Sequence, residues 1–435
     1  MFSDRISDYF EGVAAKYLSA VDADPARSNG HEIGGLPKAG FRDHLGTPGK
    51  DQEFRFRARQ VYISDEADVP VIADSHVTWY DVRRRQEHRS AEYRLYYYDS
   101  PVTGCLSEGD FFLVAKLREG VLPPLPEALR NDTPVSGALL MIFTPAGSSI
   151  EHQLRAMFGL EAVDAAFRPG RLDAVDMVLP LRMMLEDLGL EVEARSSSPD
   201  AWLDRLLETF GGKEFPATAA FSRFARESLA ADLSPLDDPD ATLMAWMEHE
   251  ESLFRLYERH IVQARLKAGF GENGEDVDAF ISFSLSVQNR RKSRVGHAFE
   301  GHLDCLFRSH YLRFEQGCGK GRVTENNAKP DFMFPSFASY HDPQFPAACL
   351  MMLGAKTTCK DRWRQVLSEA NRIPSKHLVT LEAAISKAQL EEMRSHALHL
   401  VIPSAIHATY PAGNRGYLMT VQQFIQAVQH VGNGG

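Results

Sequence analysis

Apolar and polar positions change rhythm once along the chain. Up to about residue 145 the apolar residues fall in short runs: Phe54–Ile63, Val77–Val82, Tyr93–Tyr98, Phe111–Leu117 and Ala138–Thr144. These runs are rich in aromatic and β-branched side chains and are separated by Gly, Pro and Asp turns, which predicts the strands of a barrel or sandwich. A helix is predicted over Ser148–Phe158. Residues 160–200 are mixed and end in Ser196-Ser197-Ser198-Pro199-Asp200, a linker signal. From Ala201 the spacing turns helical. Leu243, Trp246, Leu253, Leu256, Tyr257 and Ile261 fit one face of a helix over Ala241–Gly269. A second long helix is predicted over Val277–Arg308. Short strands follow at Pro330–Phe334, Cys349–Lys356, His377–Leu381 and Leu398–Ile402, with a helix from about Cys359 to Arg372. That alternation describes an α/β domain with a mixed central sheet flanked by helices, so two domains are expected, 1–195 and 196–435.

No run reaches the roughly 18–20 apolar residues of a membrane span, and Met1–Ile6 opens no signal peptide, so a cytoplasmic protein without a membrane partner is expected. Five scattered cysteines with no Cys-x-x-Cys exclude a disulfide framework and a zinc ribbon. His302, Cys305, His310 and Cys318 lie close in sequence but lack zinc-finger spacing, and read as helix and loop residues.

Charge first points away from nucleic acid: the 435 residues carry a net −11. The average conceals its distribution. Residues 83–94, 290–294 and 356–376 together hold fifteen bases and four acids, which leaves −22 for the rest. A phosphate feels charge within about 8–10 Å, so local patches matter more than the total. Residues 231–278, with twelve acids and four bases, read as a solvated structural helix, its Asp237, Asp238 and Asp240 suited to a helix N-terminus.

The chemistry concentrates in Lys329-Pro330-Asp331, Lys356 and Glu369. Asp331 opens an apolar segment and can hold a hard divalent cation through oxygen. Lys356 ends another apolar run, which delivers a cation to the edge of the same sheet. On a helical wheel Glu369 falls on the flank of the following helix, from which it can face back to that edge. Two acids and a lysine at one sheet edge are the parts needed to hydrolyse a phosphodiester. Spacing alone leaves open an ordinary surface ion pair.

The sequence resembles the EcoRII-type restriction endonucleases. The likeness runs through Ser286–Arg294 (Ser-Val-Gln-Asn-Arg-Arg-Lys-Ser-Arg), Lys329–Ser336 (Lys-Pro-Asp-Phe-Met-Phe-Pro-Ser), Tyr340-His341-Asp342 and Lys356–Gln365. It continues through Arg372-Ile373, His377-Leu378 and Val401–Ser404, covering essentially residues 201–430. It implies a restriction-endonuclease-like catalytic domain in which the second metal-binding acid has migrated. Gly354 stands where the usual Asp/Glu-x-Lys motif has its acid, and Glu369 matches the substitute. By the same carry-over Asp331 is a metal ligand, Lys356 the catalytic lysine, Glu300 a further carboxylate near the metal and Tyr340 a residue important for activity. Lys360-Asp361-Arg362 matches the segment that reads G·C pairs, chemistry that suits guanine O6/N7 and cytosine N4. Arg290, Arg291 and Arg294 suit the backbone or the central base pair.

The N-terminal half resembles the same family's effector domain more weakly, through Gly30–Gly34, Arg89–Tyr98 and Phe111–Leu117. That implies a DNA-binding pseudobarrel, with His31, Arg83, Arg84, Arg85, Arg89, Glu92 and Arg94 on its DNA face. The whole reads as a Mg²⁺-dependent type II enzyme, type IIE by effector-site activation. It would cut double-stranded DNA at an interrupted CC/GG palindrome such as CCWGG or CCNGG, as a homodimer matching a two-fold site. A methyltransferase would act on the same sites. A modification-dependent nuclease and a DNA-binding regulator with an inert nuclease domain are the alternatives.

Overall fold

In the computed structural model the described residues are 5–23, 31–67, 69–86, 88–122, 134–160, 163–172, 179–190, 199–229, 233–271, 274–319, 321–359 and 363–433. The chain divides into two compact units. One is Asp4–Val192 with Ala383–Lys387; the other comprises Glu193–Glu382 and Ala388–Gly435.

The first unit is built on eight strands: β1 Phe10–Tyr17, β2 Glu32–Ile33, β3 Phe54–Tyr62, β4 Val71–Asp81, β5 Tyr93–Tyr97, β6 Phe111–Leu117, β7 Ala138–Thr144 and β8 Arg168–Pro169. They form one sheet in the order β2-β5-β4-β3-β7-β6-β1-β8. The β3–β7 pair is parallel and the other pairs are antiparallel. Phe56, Ala58, Val77, Trp79, Phe112, Val114, Met141 and Phe143 share one buried cluster. Within it Phe112 and Phe143 stack at 4.5 Å, and the Trp79 indole N–H donates to the Gly46 carbonyl at 3.0 Å. Among the described residues, two helices longer than a single turn accompany the sheet, α1 Ser149–Met157 and α2 Leu179–Asp187. The Ser148 hydroxyl caps α1 by accepting from the Glu151 N–H at 3.1 Å. β1 and α2 do not stand out in the sequence. β1 carries Gly12, Ala14 and Ala15, weak strand formers placed by pairing with β6 on one edge.

The second unit opens with four helices, α3 Pro199–Phe210, α4 Thr218–Ser228, α5 Pro239–Ala268 and α6 Val277–Ser309. The two long ones start on aspartate caps, with Asp238 accepting from Ala241 N–H and Asp276 from Ala279 N–H, each at 2.9 Å. Leu206, Phe221, Ala225, Leu253, Phe254, Tyr257 and Ile261 fill the space between α3, α4 and α5. Five strands follow: β9 Glu315–Gln316, β10 Phe332–Phe334, β11 Met351–Lys356, β12 Lys376–Thr380 and β13 Leu398–Val401. The sheet is mixed, in the order β13-β12-β11-β10-β9. β11, β12 and β13 run parallel, and β10 is antiparallel to both neighbours. The remaining helices are α7 Phe337–His341, α8 Trp363–Leu367, α9 Lys387–Ser395 and α10 Val421–Asn433.

Phe307 of α6 meets Phe332 and Phe334 of β10 edge-on at 5.3 and 5.6 Å, and Phe424 of α10 closes the same cluster. Such pairs add about 0.5–1.5 kcal/mol each beyond the area they bury. The buried Asp240 carboxylate accepts from the N–H groups of Ser404, Val421 and Gln422 at 2.9–3.0 Å, which ties the start of α5 to the start of α10. Asp240 is thus structural. The helix predicted through Arg372 is shorter than the wheel implied: α8 ends at Leu367, and Ala370 has φ +49°. Glu369 therefore sits in the turn after α8, not inside a helix.

Candidate active site

Antiparallel pairing of Phe332 with Leu353 brings the start of β10 alongside the end of β11. There the Asp331 Oδ2 accepts from the Lys356 ammonium at 2.8 Å and from the Ala355 N–H at 2.6 Å. Both side chains are largely but not wholly covered. Glu300, on α6, lies close enough to both to be perturbed by them. Burial raises its pKa, the Asp331 charge raises it further, and Lys356 and His297 oppose the shift.

Glu369, in the turn after α8, reaches the same charges. Burial and the Asp331 carboxylate push its carboxyl up to about 7, against the pull of Lys356 and Lys376. Its Oε2 is buried and has no hydrogen-bond partner. Gly354 explains why the acid arrives from here. A Cβ at that position would stand 2.9 Å from Val366 Cγ2 of α8, so the helix occupies the space a carboxylate on β11 would need.

The structure thus brings Asp331, Lys356, Glu369 and Glu300 into one electrostatic group. Among the described residues, no three His, Cys, Asp or Glu side chains converge tightly enough to make a finished metal cage. The donor set nonetheless fits a hard divalent cation. Its ligands are carboxylate oxygens, one is buried without a partner, and two acids are raised by burial and by the Asp331 charge, which a positive ion would relieve.

Tyr340 lies one step away. It is buried, and its hydroxyl donates to both Glu325 oxygens at 2.6 and 2.7 Å, so burial and that carboxylate raise its pKa to about 12. Glu325, Thr324 and Lys376 were not singled out in the sequence. The one signal available was that Thr324-Glu325 precedes Pro330-Asp331 by six residues.

The basic segment of α6 is placed differently from its sequence reading. Arg294 is 5% exposed and bridges Glu250, at 3.1 Å, and Glu251, with its guanidinium 4.0 Å from the Phe254 ring centre. Arg291 pairs with Glu258 at 2.6 Å. The acids that segment lacks come from α5, so Arg294 is not a surface contact for DNA and Arg291 is neutralised. Arg290 is exposed, over Phe215 at 4.6 Å. His302 is fully buried against Glu250 at 2.9 Å and Arg226 at 3.0 Å, a helix-packing role. Lys360, Asp361 and Arg362 lie outside the described residues.

In the first unit the proposed DNA residues gather around the β4–β5 connection. The Asp81 carboxylate accepts from the N–H groups of Arg83 and Glu92 at 2.9 and 2.8 Å, which closes that loop. Arg94 bridges Glu92 at 2.7 Å and Glu32 at 2.8 Å, while Arg83 pairs with Glu92 and Arg84 with Glu53 at 2.6 Å. His31 faces Asp99 at 3.5 Å and the rings of Tyr96 and Tyr97. Arg85 and Arg89 are exposed and pair with no described residue.

Residues 254–425 match the family model for the EcoRII C terminal. The type II restriction enzyme EcoRII of Escherichia coli is 47% identical over 188 residues, 43% of this chain and 45% of that protein. The chain therefore spans under half the length of this relative. Among solved structures, metal-depleted Ecl18kI in complex with uncleaved DNA matches with a TM-score of 0.43 and 19% identity, over 55% of this chain and 86% of the other. The complex of restriction endonuclease PspGI with substrate DNA gives 0.42 and 17%, over 51% and 95%. Both acids on which the site turns, Asp331 and Glu369, and the lysine between them, fall inside residues 254–425, the segment that is similar to the EcoRII C terminal.

Proposed function

We propose that the protein is a type II site-specific DNA endonuclease whose catalytic group is Asp331, Lys356, Glu369 and Glu300. The observation that carries this reading is the Asp331–Lys356 contact at the sheet edge, with the unpartnered Glu369 oxygen turned to the same charges. Asp331, Glu369 and Glu300 would hold a divalent cation, Mg²⁺ in our reading, which supplies charge withdrawal from the phosphate and activation of water. Lys356, held in place by Asp331, offsets negative charge as it builds on the phosphate and orients the attacking water. Glu369, whose pKa is near 7, can take or hold a proton at its buried oxygen while no cation is bound.

The rest of the account extends the family likeness. The enzyme acts on an interrupted CC/GG palindrome such as CCWGG or CCNGG, read by Lys360, Asp361 and Arg362, and works as a cytoplasmic homodimer. The first unit is an effector-binding pseudobarrel that engages DNA through Arg85 and Arg89 and makes the enzyme type IIE. A methyltransferase protects the same sites. Replacing Lys356→Ala should reduce cleavage of plasmid DNA by at least about 10²–10³-fold, the usual cost of removing one charge-stabilising group, while duplex binding persists. Retained cleavage would remove Lys356 from the mechanism, and a wild-type protein that binds DNA but never cuts it would favour the inert regulator.

A further inference from the structure

Glu369 has no side-chain hydrogen bond to hold its Oε2, and it stands in a turn rather than a helix, so something else must fix it. Three consecutive backbone N–H groups just after it are each donated to a side-chain oxygen from another part of the sequence. Ala370 donates to Thr324 Oγ1 at 3.2 Å, Asn371 to Glu325 Oε2 at 3.1 Å and Arg372 to Tyr340 Oη at 3.3 Å. Two of the three acceptors are themselves joined, since the Tyr340 hydroxyl donates to both oxygens of Glu325. The Arg372 guanidinium locks the far end by donating to the carbonyls of Ser339, Tyr340, Asp342 and Phe345, at 3.4 Å for Ser339 and 2.7 Å for Asp342. Ala370 occupies the left-handed region, which an alanine avoids unless its surroundings dictate it. Without these acceptors the three amides, which lie past the end of α8, would be left to water.

We propose that Glu325 is a positioning residue: with Thr324, Tyr340 and Arg372 it clamps the turn 368–372 and so sets the Glu369 carboxylate against Asp331. This rests on the reading of Glu369 as a cation ligand. It assigns Tyr340 a place in the clamp, acting on the site through Glu325 and Arg372. Glu325 is the hub because its one carboxylate serves both the Tyr340 hydroxyl and the Asn371 amide. Lys376, buried at the start of β12, has both Glu325 and Glu369 as electrostatic neighbours and adds a shared positive charge between clamp and ligand.

The test measures Mn²⁺ binding to the full-length protein by electron paramagnetic resonance, so it does not depend on cleavage. Wild type should bind Mn²⁺ in a manner that Glu369→Ala removes. Glu325→Ala should weaken that binding about tenfold or more, the size of effect expected when a group orienting a metal ligand is lost. Glu325→Gln, which keeps an acceptor for the Asn371 amide, should recover most of it. Tyr340→Phe, which preserves the buried ring, should weaken binding in the same direction and serves if Glu325→Ala fails to fold. Unchanged Mn²⁺ affinity in folded Glu325→Ala and Tyr340→Phe overturns the clamp. So does an affinity loss that Glu325→Gln fails to rescue, or one that merely tracks a lowered unfolding temperature. Absence of Glu369-dependent binding in wild type also overturns it. If wild type binds Mn²⁺ through Glu369 but does not cut DNA, the nuclease reading fails while the clamp stands.

Discussion

Gly354 and Glu369 are two halves of one substitution. Val366 fills the space over Gly354, so a carboxylate restored there meets the helix and not a cation. Gly354→Asp is expected to cost roughly 1–3 kcal/mol of stability through overpacking, and not to rescue Glu369→Ala in a plasmid assay. A rescued double variant would show that position 354 is open after all. His377 carries a pH dependence. Burial, with His399 beside it, pushes its pKa down to about 4, while the unfolded chain has the ordinary value near 6.5. The unfolded state then binds the extra proton, so stability present above pH 6.5 is lost as pH falls from about 6.5 to about 4. Thermal midpoints measured across that window should decline less steeply in His377→Gln, by up to one proton, and identical slopes would contradict the assignment. Asp331 and Lys356 sit in local patterns, an apolar strand start and a strand end, whereas Glu369 is marked by the family resemblance, since the helical wheel drawn through it does not describe the turn it occupies. That turn could not be read from sequence, because Thr324, Glu325 and Tyr340 hold it from 32 to 46 residues away.

At the scale of elements, periodicity located most of what packing later required. β6 and β7 fall on the residues their aromatic and β-branched runs mark, and α5 and α6 follow their helical spacing. β1 was not legible because its small residues gain their strand from pairing with β6 and β8. The basic run on α6 misled in the opposite direction. It contains no acid, yet α5 supplies Glu250, Glu251 and Glu258 across the helix pair. A buried charge stripped of its partner is costly, so Arg294→Ala should destabilise the second unit by about 3–5 kcal/mol, and Arg294→Met, which keeps the stem, by less. Hydrogen exchange of α5 and α6 amides reads this directly. Unaltered protection in Arg294→Ala would mean the network contributes nothing.

For the whole molecule, a net −11 coexists with exposed arginines at 85 and 89 that no described acid neutralises. Binding to a duplex should therefore weaken with salt. Replacing Arg85 and Arg89 together by alanine should reduce the slope of log K against log[salt] by about 1–2 and leave the unfolding temperature in place. An unchanged slope would move the phosphate contacts elsewhere. Among the described residues no helix is long and apolar enough to cross a membrane. The central claim is a sequence-specific cut made by the Asp331–Lys356–Glu369 group, and sequencing the ends of a genomic DNA digested with Mg²⁺ tests it most directly. The expected result is ends that map to one short CC/GG palindrome, formed by the wild-type protein and absent with Lys356→Ala. Ends scattered without a common sequence, or the same ends produced by Lys356→Ala, would contradict it.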